Sequence, residues 1–327
     1  MKIAVESHIP FIRGVFEAAG HEVQYLEPEA FTPATVADTD ALVIRTRTRC
    51  DAALLGGSRV RKIATATIGT DHIDLDYCSR AGIEVFNAPG CNAPAVAQYV
   101  LSTVARLRPE VNCLGIVGVG HVGSIVRAWA EGNGIATLCC DPPLGLKATL
   151  GDLAARCDVI TFHTPLDATT RHMADRAFFD SLRCKPLIIN AARGPVTDTP
   201  ALIDALRDGR VSAAAIDCWE GEPQIDRELL SMAAVATPHI AGYSLEGKRR
   251  ASAMAVAAID PSIPGSSDPS LLKLTAELFP MPPVAACPLL DAIAESFDPV
   301  AASEPLRSDP GRFEALRNSF ELRAEPR

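Results

Sequence analysis

The sequence predicts an α/β protein built as two doubly wound parallel-sheet domains in tandem, followed by a short C-terminal appendage. Three observations carry this reading. Short apolar runs alternate with helix-patterned segments over most of the chain, as βαβ units require. The alternation is broken once, by a long run from Asn92 to Leu107 with Val96, Val100, Thr103, Val104 and Leu107 at helical spacing. The texture changes from Pro261 onward, where 11 of the 25 prolines crowd into the last 67 residues.

In the first series, residues 3–6, 41–46, 61–67 and 84–87 read as strands, with helices at 11–19, 52–55 and 75–81. Asn92 caps the long helix that joins the two series. In the second, 114–117, 136–140, 159–163, 187–191 and 213–218 read as strands buried on both faces. Helices are expected between them at 122–131, 150–156, 201–207 and 227–232, and a last alanine-rich helix at 245–259. The tail keeps apolar runs at 271–278 and 289–293 and a helical pattern at 313–323.

Composition bounds the function. A chain of 327 residues holds roughly two domains at ~150 residues each. Its 48% hydrophobic content fits a packed globule. The net charge of −9 argues against nucleic acid or an anionic membrane as a general partner, since both reward clustered Lys and Arg. An anionic small molecule stays compatible, because a few arginines suffice locally. No stretch approaches the ~20 apolar residues of a membrane span, and Glu6 spoils an apolar signal core. A cytoplasmic protein is expected. The ten cysteines show no C-x-x-C pair, so reduced thiols and no metal site are expected.

The run Leu114-Gly115-Ile116-Val117 leads into Gly118-Val119-Gly120-His121-Val122-Gly123. This is G-x-G-x-x-G between a strand and a helix. Gly118 permits the tight turn, Gly120 lets backbone approach a pyrophosphate, and Gly123 lets the helix pack on the strand. His121 and Val122 open the helix, whose N-terminal N–H groups suit phosphates. The next strand ends at Asp141, placed to accept from a ribose diol and to repel a 2′-phosphate. The second domain is therefore read as a Rossmann domain for NAD. Thr164 follows another strand end, where such sheets meet their ligand.

A dehydrogenase needs a cation for the substrate carboxylate and a base for the hydroxyl proton. Arg193, Glu222 and His239 are the candidates. Singly, each reads as an ordinary loop residue. Together, each follows a different strand of one series, so a parallel sheet would bring them to one edge. A carboxylate on a histidine fixes its tautomer and raises its basicity.

Further stretches carry a family likeness: Ala64-Thr65-Ala66-Thr67-Ile68-Gly69-Thr70-Asp71-His72, Ala88-Pro89-Gly90-Cys91-Asn92-Ala93, Phe162-His163-Thr164-Pro165-Leu166, Trp219-Glu220-Gly221-Glu222-Pro223, and the run from Pro238 to Lys248. With the motifs above, they resemble the D-2-hydroxyacid dehydrogenases. The Pro-Gly-Cys-Asn-Ala segment and the run from His239 to Lys248 look particular to the branch acting on 4-phosphoerythronate.

The resemblance implies that Arg193 holds the carboxylate, His239 takes the C2 hydroxyl proton, and Glu222 orients His239. It implies substrate contacts from Thr46, Thr67 and Tyr243, and NAD contacts from Asp141, Thr164, Asp217 and Gly242. Arg45 is assigned to the substrate phosphate. The domains expected are 1–92 plus 239–260, flavodoxin-like and substrate-binding, and 93–238, NAD-binding. Residues 261–327 are expected to form a truncated dimerisation-type segment, with a homodimer as the family's assembly. Two other readings stay open: a relative acting on another 2-hydroxy acid, of the phosphoglycerate or glyoxylate type, or a non-catalytic NAD-binding regulator.

Overall fold

The computed structural model describes residues 1–326. By internal contacts the chain forms two units, Met1–Asn92 with Leu245–Pro283, and Ala93–Ser244 with Val284–Arg327.

The first unit holds β1 (Lys2–Glu6), β2 (Glu22–Leu26), β3 (Ala41–Ile44), β4 (Lys62–Thr65) and β5 (Glu84–Phe86) in the order β2-β1-β3-β4-β5. All pairs are parallel. The side-chain period of two divides each strand between two cores. Ala41 and Val43 pack with the helix Leu245–Ile259 through Ala251, Ala255 and Val256. Leu42 and Ile44 pack with Leu54, Leu55 and Cys78 on the other face. A parallel sheet covered on both faces needs such unbroken apolar strands.

The second unit holds β6 (Cys113–Val117), β7 (Ala136–Cys140), β8 (Val159–Phe162), β9 (Leu187–Asn190), β10 (Ala213–Ile216) and β11 (Val235–Ala236), ordered β11-β10-β9-β8-β6-β7. The same alternation operates. Leu187 and Ile189 join the helix Ala93–Leu107 in one core, and Ile188 faces the other with Phe162 and Phe179. From β6 the chain crosses to β7 on one side, and β8 flanks it on the other. That reversal opens a crevice beyond the carboxyl ends of β6 and β8.

Several expectations need correction. The helix expected at 11–19 is only Val15–Ala18, because Phe11 and Gly14 take positive φ of 64° and 83°. Strand β2 was not foreseen. It is an edge strand, half-buried and polar at Glu22 and Gln24, so it lacks an apolar run. The helix expected at 313–323 ends at Asn318.

Residues 261–327 are not a separate appendage. Leu271 and Leu278 enter the first unit's core, whereas Ile293, Phe297, Leu306 and Phe313 enter the second's. Burial of these side chains divides the segment after Pro283. Residues 239–244, expected with the first unit, lie in the second. The ten cysteines are all free thiols. Among the described residues, no helix is long and apolar enough to cross a membrane.

Candidate active site

The nucleotide crevice is shaped by glycine. Gly118 takes φ of 86°, and a Cβ there would meet the His163 carbonyl oxygen at 2.8 Å. A Cβ on Gly123 would lie 2.0 Å from the Gly118 carbonyl oxygen, so the helix His121–Gly132 can seat only on glycine. Beside Gly120 a Cβ would meet nothing within 4 Å. That opening, next to the helix N-terminus at His121 and Val122, fits a pyrophosphate. Asp141 follows β7. Its Oδ2 accepts from the Val119 N–H at 2.7 Å and its Oδ1 from the Leu144 N–H at 3.2 Å. The carboxylate is thereby fixed against the glycine turn with acceptor capacity left for a ribose. Thr164 lies two residues past β8, where its Cγ2 would stand 3.1 Å from a Gly118 Cβ. These residues fit NAD.

Asp141→Ala removes the carboxylate that is the candidate ribose acceptor. Two hydrogen bonds to a charged group, at ~1.5–3 kcal/mol each, set the scale. The apparent KM for NAD is expected to rise at least ~10-fold, and the preference over NADP to shrink, in steady-state titrations of both cofactors.

The candidate reacting groups, Arg193, Glu222 and His239, follow the carboxyl ends of β9, β10 and β11. Arg193 follows β9 on a turn shaped by Asn190. The Asn190 amide donates to the Arg193 carbonyl at 3.0 Å, and its Oδ1 accepts from the Ala192 N–H at 3.2 Å. The next residue, Gly194, touches the loop after β10: a Cβ there would fall 2.0 Å from the Trp219 carbonyl. Only glycine permits that approach, which joins the Arg193 turn to the loop carrying Glu222.

Glu222 Oε1 accepts from the Trp219 N–H at 2.7 Å, and Oε2 lies 2.8 Å from His239 Nδ1. Burial works to raise the Glu222 pKa, but the bond and charge of His239, together with the Trp219 N–H and the charge of Arg317, outweigh it, so the carboxyl titrates below its ordinary value. A carboxylate on Nδ1 holds the proton there and leaves Nε2 to meet a substrate hydroxyl.

His239 itself has a positive φ of 58°, a left-handed conformation that costs a non-glycine residue about 1–3 kcal/mol. Asp217 holds it there. Oδ1 accepts from the Thr237 hydroxyl at 2.7 Å and the Ile240 N–H at 2.8 Å, and Oδ2 from the Ala241 N–H at 2.9 Å. The Tyr99 hydroxyl meets Thr237 Oγ1 at 2.8 Å, and the Trp219 indole donates to the Thr237 carbonyl at 2.9 Å. Burial raises the Asp217 pKa against the opposing effect of His239 and these donors. Gly242 and Tyr243 complete the loop.

Cys218, Glu222 and His239 offer ligand atoms within 4.8 Å of one another. Burial pushes the Cys218 thiol well up, and the thiol donates to the Ala192 carbonyl at 3.4 Å. The trio is a carboxylate–histidine pair beside a protonated thiol.

The remaining candidates lie in the first unit. Thr46 is exposed just past β3. Arg45 donates through Nε to the fully buried Glu6 at 2.8 Å, and Arg47 pairs with Glu29 at 3.2 Å. The basic turn is thus tied to carboxylates, leaving the Arg45 terminal nitrogens as its cationic edge. Thr67 Oγ1 meets Thr65 Oγ1 at 2.7 Å and donates to the Gly69 carbonyl at 3.0 Å. Sequence reasoning missed Tyr99, Asn190, Gly194, Trp219 and Thr237. Asn190 and Gly194 flank Arg193, and Trp219 opens the quoted stretch that ends in Glu222-Pro223, so these three carried a signal, whereas Tyr99 did not.

Residues 102–241 match the model of the NAD-binding domain of D-isomer specific 2-hydroxyacid dehydrogenases. Erythronate-4-phosphate dehydrogenase of Bacteroides thetaiotaomicron is 42% identical, over 99% of this chain and 97% of that protein. The chain belongs to the erythronate-4-phosphate dehydrogenase family. The Porphyromonas gingivalis member is 40% identical over 98% of this chain and 92% of its own. Among solved structures, NAD⁺-bound 3-phosphoglycerate dehydrogenase of Entamoeba histolytica matches with a TM-score of 0.69 and 26% identity, over 81% of this chain and 96% of that one.

Proposed function

We propose that this protein oxidises 4-phospho-D-erythronate to 2-oxo-3-hydroxy-4-phosphobutanoate with NAD, a step of vitamin B6 biosynthesis. The observation that carries the reading is the 2.8 Å Glu222–His239 pair at the carboxyl edge of a nucleotide-binding sheet, in a chain similar along its length to enzymes of that name.

Arg193 binds the C1 carboxylate, its planar guanidinium suited to bidentate contact. His239 Nε2 accepts the C2 hydroxyl proton, while Glu222 keeps Nδ1 protonated and offsets the imidazolium charge that develops. NAD, held by Gly118, Gly120, Gly123, Asp141 and Thr164, supplies the hydride acceptor when bound. Asp217 and Gly242 sit on or beneath the His239 loop, where the family resemblance assigns NAD contacts. Tyr243, with Arg45, Thr46 and Thr67 of the first unit, is assigned to the substrate, Arg45 to its phosphate. A cytoplasmic homodimer belongs to the same reading, and ten free thiols agree with a reducing compartment.

The test follows NADH absorbance with 4-phosphoerythronate, 3-phosphoglycerate and D-lactate in parallel. Turnover confined to the first is expected. Turnover confined to another acid would replace the substrate while keeping the mechanism, and silence on all three with NAD bound would favour a regulator.

A further inference from the structure

Within the second unit, the end of the chain is fastened to the loop that carries His239. Phe320 meets the Tyr243 ring edge-on, with centroids 6.4 Å apart. Three residues on, the Arg323 guanidinium reaches two elements at once. Nη1 donates to the carbonyls of Ile240 and Tyr243 at 3.1 and 3.0 Å. Nη2 donates to the carbonyl of Ala241 and, at 2.9 Å, to that of Ala95 in the first turn of the helix Ala93–Leu107. Nε donates to Gln98 Oε1 on the same helix at 2.8 Å. All five N–H donors of the guanidinium are thereby engaged. Its Cζ also lies 4.3 Å from the centre of the Phe297 ring. The Gln98 amide returns a bond to the Ala324 carbonyl at 3.0 Å, and Glu325 accepts from the Ser244 hydroxyl at 2.7 Å.

The loop is held from its other side by Asp217. The peptide group joining Ile240 to Ala241 shows how the two grips combine. Its N–H donates to Asp217 Oδ2 at 2.9 Å, and its carbonyl accepts from Arg323 Nη1 at 3.1 Å. The N–H and C=O of a trans peptide point in opposite directions across one rigid plane. A carboxylate on one edge and a guanidinium on the other therefore fix how that plane is turned. The plane lies one residue past His239, whose φ of 58° a residue other than glycine keeps only under constraint from its surroundings.

We propose that Arg323 is a positioning residue of the active site: with Asp217 it grips the Ile240–Ala241 peptide from opposite edges and so holds His239 in place. This rests on the dehydrogenase reading and makes the end of the chain part of the catalytic machinery. Lysine cannot substitute fully, because its ammonium is a single point of charge with three donors and cannot span carbonyls on both elements.

The test uses the full-length protein as Arg323→Gln, Arg323→Lys, Asp217→Asn and the double variant Asp217→Asn with Arg323→Gln. One readout is kcat and KM for 4-phosphoerythronate. The other is hydrogen–deuterium exchange of the segment 239–244, followed by mass spectrometry without substrate.

In Arg323→Gln, kcat is expected to fall ~10–10²-fold, the scale of a misplaced reacting group. KM is expected to stay within ~2-fold, because the loss falls on the reacting step and not on substrate binding. Arg323→Lys is expected to fall between Arg323→Gln and wild type. The double variant is expected to lose no more than the worse single one, since both residues act on one peptide and their effects are coupled. Exchange of 239–244 is expected to quicken in Arg323→Gln.

Wild-type kcat in Arg323→Gln, a KM that rises as far as kcat falls, losses that multiply in the double variant, or unchanged exchange would each overturn the proposal. If Arg323→Gln does not fold, wild-type kcat and exchange in Arg323→Lys overturn it equally. The exchange measurement needs no turnover, so failure of wild type on this substrate would discard the substrate assignment and still leave Arg323 tested.

Discussion

Replacing His239 by alanine is expected to lower kcat for 4-phosphoerythronate oxidation about 10²–10⁴-fold, the range a positioned general acid–base supplies. The argument rests on three features. Glu222 occupies Nδ1 at 2.8 Å, so Nε2 is the nitrogen left for chemistry. The Glu222 carboxyl titrates low, so it stays ionised at neutral pH and stabilises the imidazolium formed. The backbone accepts a left-handed conformation at His239 to hold the ring there. NAD affinity, followed by quenching of protein fluorescence, is expected to change little, because the glycine turn and Asp141 lie on other strands of the sheet. Glu222→Gln keeps the shape and removes the charge, and a smaller loss in kcat is expected. Turnover undiminished in His239→Ala would remove His239 from the proton-transfer role.

Asp217→Ala is expected to produce the largest loss of stability of any single change near the site. The carboxylate satisfies the Thr237 hydroxyl and the N–H groups of Ile240 and Ala241, all buried. Orphaned buried donors cost ~1–3 kcal/mol each. Relief of the burial that raises the Asp217 pKa offsets part of that. A net loss of about 3 kcal/mol is expected, or roughly 6–12 °C in Tm for a domain of this size. Thermal unfolding by circular dichroism measures it. Asp217→Asn should fall between, because its amide places a donor opposite one of the N–H donors. The released loop also carries His239, so kcat is expected to drop with stability. A variant as stable as wild type would mean that the loop holds its conformation without the carboxylate.

Local patterns made much of this protein legible. Buried parallel strands are short and mostly apolar, so β3, β6, β8 and β9 announced themselves. Glycines at positions that exclude a Cβ marked the nucleotide turn, and Asp141 marked its far side. Arg193, Glu222 and His239 were legible because each sits in a loop just past a strand, and a parallel sheet brings such loops to one edge. The half-polar edge strand β2 lacks the apolar run that marks a buried one. The positive φ at Phe11 had no residue signature, so the first helix was read too long.

By itself, the sequence determined the fold class and the glycine turn of the nucleotide crevice, and it pointed to Arg193, Glu222 and His239 as the candidate reacting groups, because strand periodicity, glycine and charge are local properties. The division of the C-terminal segment between two cores was a matter for tertiary structure, as were the Asp217 brace beneath His239 and the Gly194–Trp219 contact. Each depends on which distant residue lies within a few ångströms, and spacing along the chain does not encode that distance.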